Sequence, residues 1–123
     1  PAGSGSVNFQ LPDGDHSVGL QTSLFSGTLL SDITSFSYST YITAFNGAQA
    51  PFVSLWVDWD GDLIANDRLT FEPLFNTILY GGSQNLATNT WQTWDLLSGN
   101  FYSVAGGGEP LTPPPPSGPR RWC

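Results

Sequence analysis

The sequence predicts an all-β protein, an antiparallel β-sandwich followed by an extended Gly/Pro-rich C-terminal tail. Three observations lead there. Apolar and polar residues alternate in short runs, the signature of strands with one buried face. Clusters of Gly, Asn, Asp and Ser punctuate those runs at the intervals of a hairpin-rich fold. No stretch carries a helical repeat, and strong helix formers are scarce, with Lys and Met absent altogether.

Each element follows from local chemistry. SVNFQL sets Val7, Phe9 and Leu11 on one face, and Pro12-Asp13-Gly14 turns the chain. HSVGLQT follows, with Val18 and Leu20 expected inward. Beyond a turn at Ser26-Gly27, ITSFSYSTYITAF alternates over a long span: Phe36, Tyr38, Thr40 and Ile42 on one side, Ser37, Ser39, Tyr41 and Thr43 on the other. Asn46-Gly47 signals a hairpin, because a tight two-residue turn needs positive φ at its centre. In PFVSLWVDW, Val53, Leu55 and Val57 oppose Ser54, Trp56 and Asp58, and Asp60-Gly61 then turns the chain towards RLTFEP. NTILY, a turn at Gly81-Gly82, TWQTWDL and NFYSV complete about eight strands at sandwich-like spacing. The expected division is a sandwich domain over 1–104 and a tail over 105–123, in which no further strand is read.

Composition narrows the function. At 123 residues the chain holds one domain with a moderate core. Only 11% of residues are charged, so Ser, Thr, Asn, Gln and Gly must supply solubility, a surface suited to a secreted, extracellular or cell-surface β-protein. A net charge of −7 leaves no basic face for nucleic acid. No apolar run approaches the roughly 18 residues of a membrane-spanning helix. The start at Pro1 leads us to expect a mature chain whose export signal has been removed, and the lone Cys123 leaves no internal disulfide.

DWDGDLIANDRLTFE is the richest polar stretch. Asp58, Asp60, Asp62 and Asp67 make it a candidate calcium loop, since calcium needs several carboxylates and carbonyls around a tight turn. Gly61 stands between the second and third Asp, unlike an EF-hand loop, and Leu63 and Ile64 follow where polar residues are wanted. The plainer reading is a solvated hairpin loop in which Asp favours the turn. Trp91 and Trp94 lie three apart on a strand and so face opposite ways. One is expected in the core, and the other could join Trp56, Trp59 or Tyr102 in a platform that stacks on sugar rings. Core and edge cover is the more common use of such residues. Catalysis has little support: His16 is the only histidine, and no nucleophile elbow, metal-binding His pair or CxxC is present.

TLLSDITSFSYSTY, VSLWVDWDGD leading to LTFEP, and TWQTWDLLSGNFYS together resemble a jelly-roll, galactose-binding-like β-sandwich module of secreted bacterial proteins, over roughly residues 5–104. The resemblance implies an extracellular sandwich and no established activity. The chain departs from it at the end, where GGGEPLTPPPPSGPRRWC replaces further sheet-forming sequence.

That ending raises the question of what completes the sheet. Pro113, Pro114, Pro115 and Pro116 form a polyproline rod suited to an aromatic groove, with Trp122 as an anchor. Long strands such as SFSYSTYIT carry no charge to guard an edge. The expectation is a homo-oligomer or filament, adhesive or scaffolding, joined through Val7, Phe9, Leu11, the prolines and Trp122. A calcium-stabilised module for polysaccharide is the alternative.

Overall fold

The computed structural model describes residues 5–13, 15–44, 50–77 and 86–105, with the backbone pairing of 110–111 and 121–122. A 3₁₀ turn at Leu30–Asp32 leads into β1 (Ser37–Tyr41). Then come β2 (Val53–Asp58), β3 (Asp67–Phe71), a short helix α1 (Pro73–Thr77), β4 (Trp91–Asp95), β5 (Phe101–Ser103), β6 (Pro110–Leu111) and β7 (Arg121–Trp122). The five strand pairings among the described residues are all antiparallel. β1 and β4 form a two-stranded sheet; the others form a five-stranded sheet in the order β6-β5-β3-β2-β7. The fold is all-β.

Alternation becomes burial where the period predicts it. In β1, Thr40 is buried and Tyr38 half-buried, while Ser37, Ser39 and Tyr41 are exposed. In β2, Leu55 and Val57 are buried and Trp56 stands out. The two sheets share one hydrophobic cluster: Leu30, Leu55, Val57, Leu69, Phe71, Trp94, Leu96 and Phe101. Phe71 lies at its junction, with the Tyr38 ring edge-on at 6.3 Å from the small sheet and Phe101 at 5.8 Å from β5. Burying side chains of this size stabilises by about 1.5–3 kcal/mol each.

Three expectations are corrected. Residues 6–11 and 16–22 form no strand; Val7, Phe9, Leu11, Val18 and Leu20 are exposed. Alternation gives a segment a face, but a strand also needs a neighbour to receive its backbone hydrogen bonds. Asn76 and Thr77, expected at the start of a strand, end α1. Pro73 suits a first helical position, where its fixed φ is already helical and its missing N–H has no partner to lose. Beyond Ala105, where no strand was expected, β6 and β7 pair with β5 and β2. Pro110 is tolerated because β6 is an edge strand. Asn46-Gly47, Gly81-Gly82 and Pro113 to Pro116 lie outside the described residues.

Two small residues lock the turn between β4 and β5. Buried Asn76 donates from Nδ2 to the carbonyls of Glu72 (3.0 Å) and Asn100 (3.1 Å), and its Oδ1 accepts from the Asn100 N–H at 2.6 Å. A Cβ at Gly99 would overlap the Phe71 ring and come within 2.9 Å of that Oδ1, so this glycine is required by space.

Candidate functional site: the acidic loop, the aromatic faces and an open edge

The loop from Asp58 to Asp67 is built around a carboxylate. Asp58 ends β2, and its Oδ1 accepts from the N–H groups of Asp60 (3.2 Å) and Gly61 (2.6 Å), while Oδ2 accepts from Leu63 N–H at 2.8 Å. Wrapping three N–H groups around one side chain places Gly61 at φ 84° and Leu63 at φ 70°, the second a costly conformation for a residue with a Cβ. Burial alone would raise the Asp58 pKa. The hydrogen bonds from Leu63, Gly61 and Asp60 outweigh it and hold the carboxyl below its usual range.

Asp58, Asp60 and Asp62 come together, offering carboxylate oxygens within 4.8 Å of one another. Asp60 and Asp62 are exposed, and Asp62 accepts from Ile64 N–H at 2.8 Å. The trio supplies three of the six to eight oxygens calcium takes, and the N–H groups that surround Asp58 already compensate its charge.

Asp67 lies outside the trio and has other work. Its Oδ2 accepts from Ser103 Oγ (2.5 Å) and Trp59 Nε1 (2.9 Å), and its Oδ1 from the N–H groups of Arg68 (2.7 Å) and Ala105 (2.9 Å). Four donors from the loop, β3 and the end of β5 therefore meet at one buried carboxylate. Burial opposes the charge, but the bonds from Ser103, Ala105, Trp59 and Arg68 prevail and depress the pKa.

The aromatic residues divide. Trp94 is 1% exposed and donates from Nε1 to Thr40 Oγ1 at 2.8 Å, so its ring faces are enclosed by the core. Trp59 is half-buried on Asp67. Tyr102 packs on Phe75 of α1 with centroids 5.4 Å apart and donates to Glu72 Oε2 at 3.3 Å. Burial pushes the pKa of both Glu72 and Tyr102 up. Trp56 is exposed with the Arg68 guanidinium 5.8 Å from its ring centre. Trp91 is exposed beside Tyr41, centroids 5.7 Å apart. One rung along the same face, Ser39 and Thr93 share a 2.8 Å hydroxyl hydrogen bond. The platform expected from Trp56, Trp59, Trp91, Trp94 and Tyr102 is thus not one surface. Its exposed members are Trp56 on the large sheet and Trp91 on the small one.

The expected subunit contacts also divide. Val7, Phe9 and Leu11 are exposed, whereas the Trp122 backbone pairs with Val57 of its own chain. The outer side of β1 is an open edge. Leu96 N–H donates to Phe36 O at 2.9 Å, which makes 36/96, 38/94 and 40/92 the hydrogen-bonded rungs. Ser37, Ser39 and Tyr41 therefore turn their N–H and C=O groups away from β4, and no described residue pairs with them. His16 contacts Asp13 at 2.5 Å on the exposed N-terminal segment. Among the described residues no helix is long and apolar enough to cross a membrane. Comparison with family models, with curated proteins and with solved structures finds no match.

Proposed function

We propose that this chain is a non-catalytic, extracellular structural or adhesive protein of jelly-roll type whose copies self-assemble into a surface fibre. The observation that carries this reading is the exposed N-terminal segment. Val7, Phe9, Leu11, Val18, Leu20 and Leu24 all face solvent and belong to no strand. Covering side chains of this kind is worth about 1.5–3 kcal/mol each, a driving force that a lone copy leaves unused. The absence of Lys removes a usual guard of strand edges against association. Light scattering and negative-stain microscopy of the purified chain test the reading. Concentration-dependent growth to elongated particles supports it, and a monomer at all concentrations rejects it.

A second reading is favoured by one feature, the Tyr41–Trp91 pair beside the Ser39 and Thr93 hydroxyls. Rings that stack on pyranose faces next to hydroxyls that bond to their rims describe a polysaccharide-binding module. In this reading calcium, held by Asp58, Asp60 and Asp62, steadies the loop. Retardation on glycan-containing gels that disappears in Trp91→Ala, with a melting temperature raised by calcium, supports this alternative over assembly.

A further inference from the structure

We infer that the outer edge of β1 is an acceptor groove, and that residues Ser6–Leu11 of a second copy add to it as a strand. The inference rests on the self-assembly reading and names the surface that performs it. Among the described sheet edges this one carries no charge, proline or neighbouring strand. In the large sheet, β6 and β7 are two residues long, and they bring Pro110 and Arg121 to the margins. β4 carries Asp95, and the segment before it folds back so that Ala87 N–H donates to Gln92 Oε1 at 2.7 Å. β1 reads SYSTY: five residues, no charge, no proline, with Ser37, Ser39 and Tyr41 presenting backbone groups that no described residue pairs with.

The donor fits that edge in three ways. It is six residues long, enough to span the five of β1, and like β1 it is uncharged. Its apolar residues fall at 7, 9 and 11, so a single register sets all three beside Tyr38, Thr40 and Ile42 on the core-facing side. The same register sets Asn8 and Gln10 on the exposed side with Ser37, Ser39 and Tyr41. Pro12, which has no N–H, ends the added strand. The chain's own segment does not occupy the edge in this structure, so the occupant is a neighbouring copy. Donation from each copy to the next is a head-to-tail contact, which propagates.

Two variants of the full chain separate donor from acceptor. Val7→Ser/Phe9→Ser/Leu11→Ser removes the donor. Ser39→Pro blocks the groove while sparing the β4 ladder, because the Ser39 N–H points outward. Near-UV circular dichroism of Trp94 checks that the fold survives; if it does not, Ser37→Lys/Tyr41→Lys takes its place. Each variant alone is expected to sediment as a monomer, and an equal mixture as a dimer that grows no further, since it holds one intact donor and one intact groove. Fibres from either folded variant alone overturn this inference and leave the self-assembly reading standing. A mixture that stays monomeric also overturns it, as does donor folding back onto its own β1. A wild-type chain that stays monomeric removes both.

Discussion

Replacing Asp67 with Asn tests how the acidic loop is held. Four donors reach this carboxylate, two on each oxygen. The amide of Asn keeps one acceptor oxygen and turns the other position into a donor. If the new NH₂ faces Arg68 and Ala105, two backbone N–H groups lose their acceptor. If it faces Ser103 and Trp59, the Ser103 hydroxyl rotates to accept, and only the Trp59 indole N–H is stranded. The second arrangement costs less. An orphaned donor costs about 1–3 kcal/mol, and the remaining bonds lose the strengthening a charge gives them, so the expected loss is about 2–4 kcal/mol. Urea unfolding followed by tryptophan fluorescence reads this as a lower midpoint with an unchanged slope. The sign of the pH dependence follows from the lowered pKa of Asp67. Its stabilisation is fully present above the unfolded value of about 3.9 and is lost as pH falls through the folded value. The gap between wild type and variant should therefore close in acid. A loss below about 1 kcal/mol, or a gap that persists at the lowest pH where both fold, would refute the reasoning.

Other predictions follow from the same packing. Asn76→Ala removes two hydrogen bonds between α1 and the β4–β5 turn and a third to the Glu72 carbonyl, and should cost about 2–4 kcal/mol in urea unfolding. Gly99→Ala drives a methyl into the Phe71 ring and should cost about 1–3 kcal/mol, read as a lower melting temperature. Asp58→Asn should speed amide exchange at Asp60, Gly61 and Leu63, measured by NMR, while amides in the β1–β4 ladder keep their protection.

Much of the fold was legible because a period of two states which side chains share a face. Residues 36–42 and 53–57 show this directly. The same pattern at 7–11 misled, since alternation encodes a face without naming the strand beside it. Trp91 and Trp94 could be assigned to opposite faces, but only the packing of Leu96, Thr40 and Trp94 decides which is core. Asp67 resembled a fourth loop ligand because Ser103 and Ala105, which occupy it, arrive 36 and 38 residues later. Asn76 looked like the start of NTILY, and nothing local announces its bonds to Asn100. The clasp of Arg121–Trp122 on β2 leaves no mark in the sequence, because two residues are too few to form a pattern.

Sedimentation velocity of the full chain across a wide concentration range, beside a chain lacking residues 1–11, bears most directly on the central claim. The account predicts large, concentration-dependent species from the full chain and a single monomeric boundary from the shortened one. Identical monomeric boundaries from both chains would contradict it.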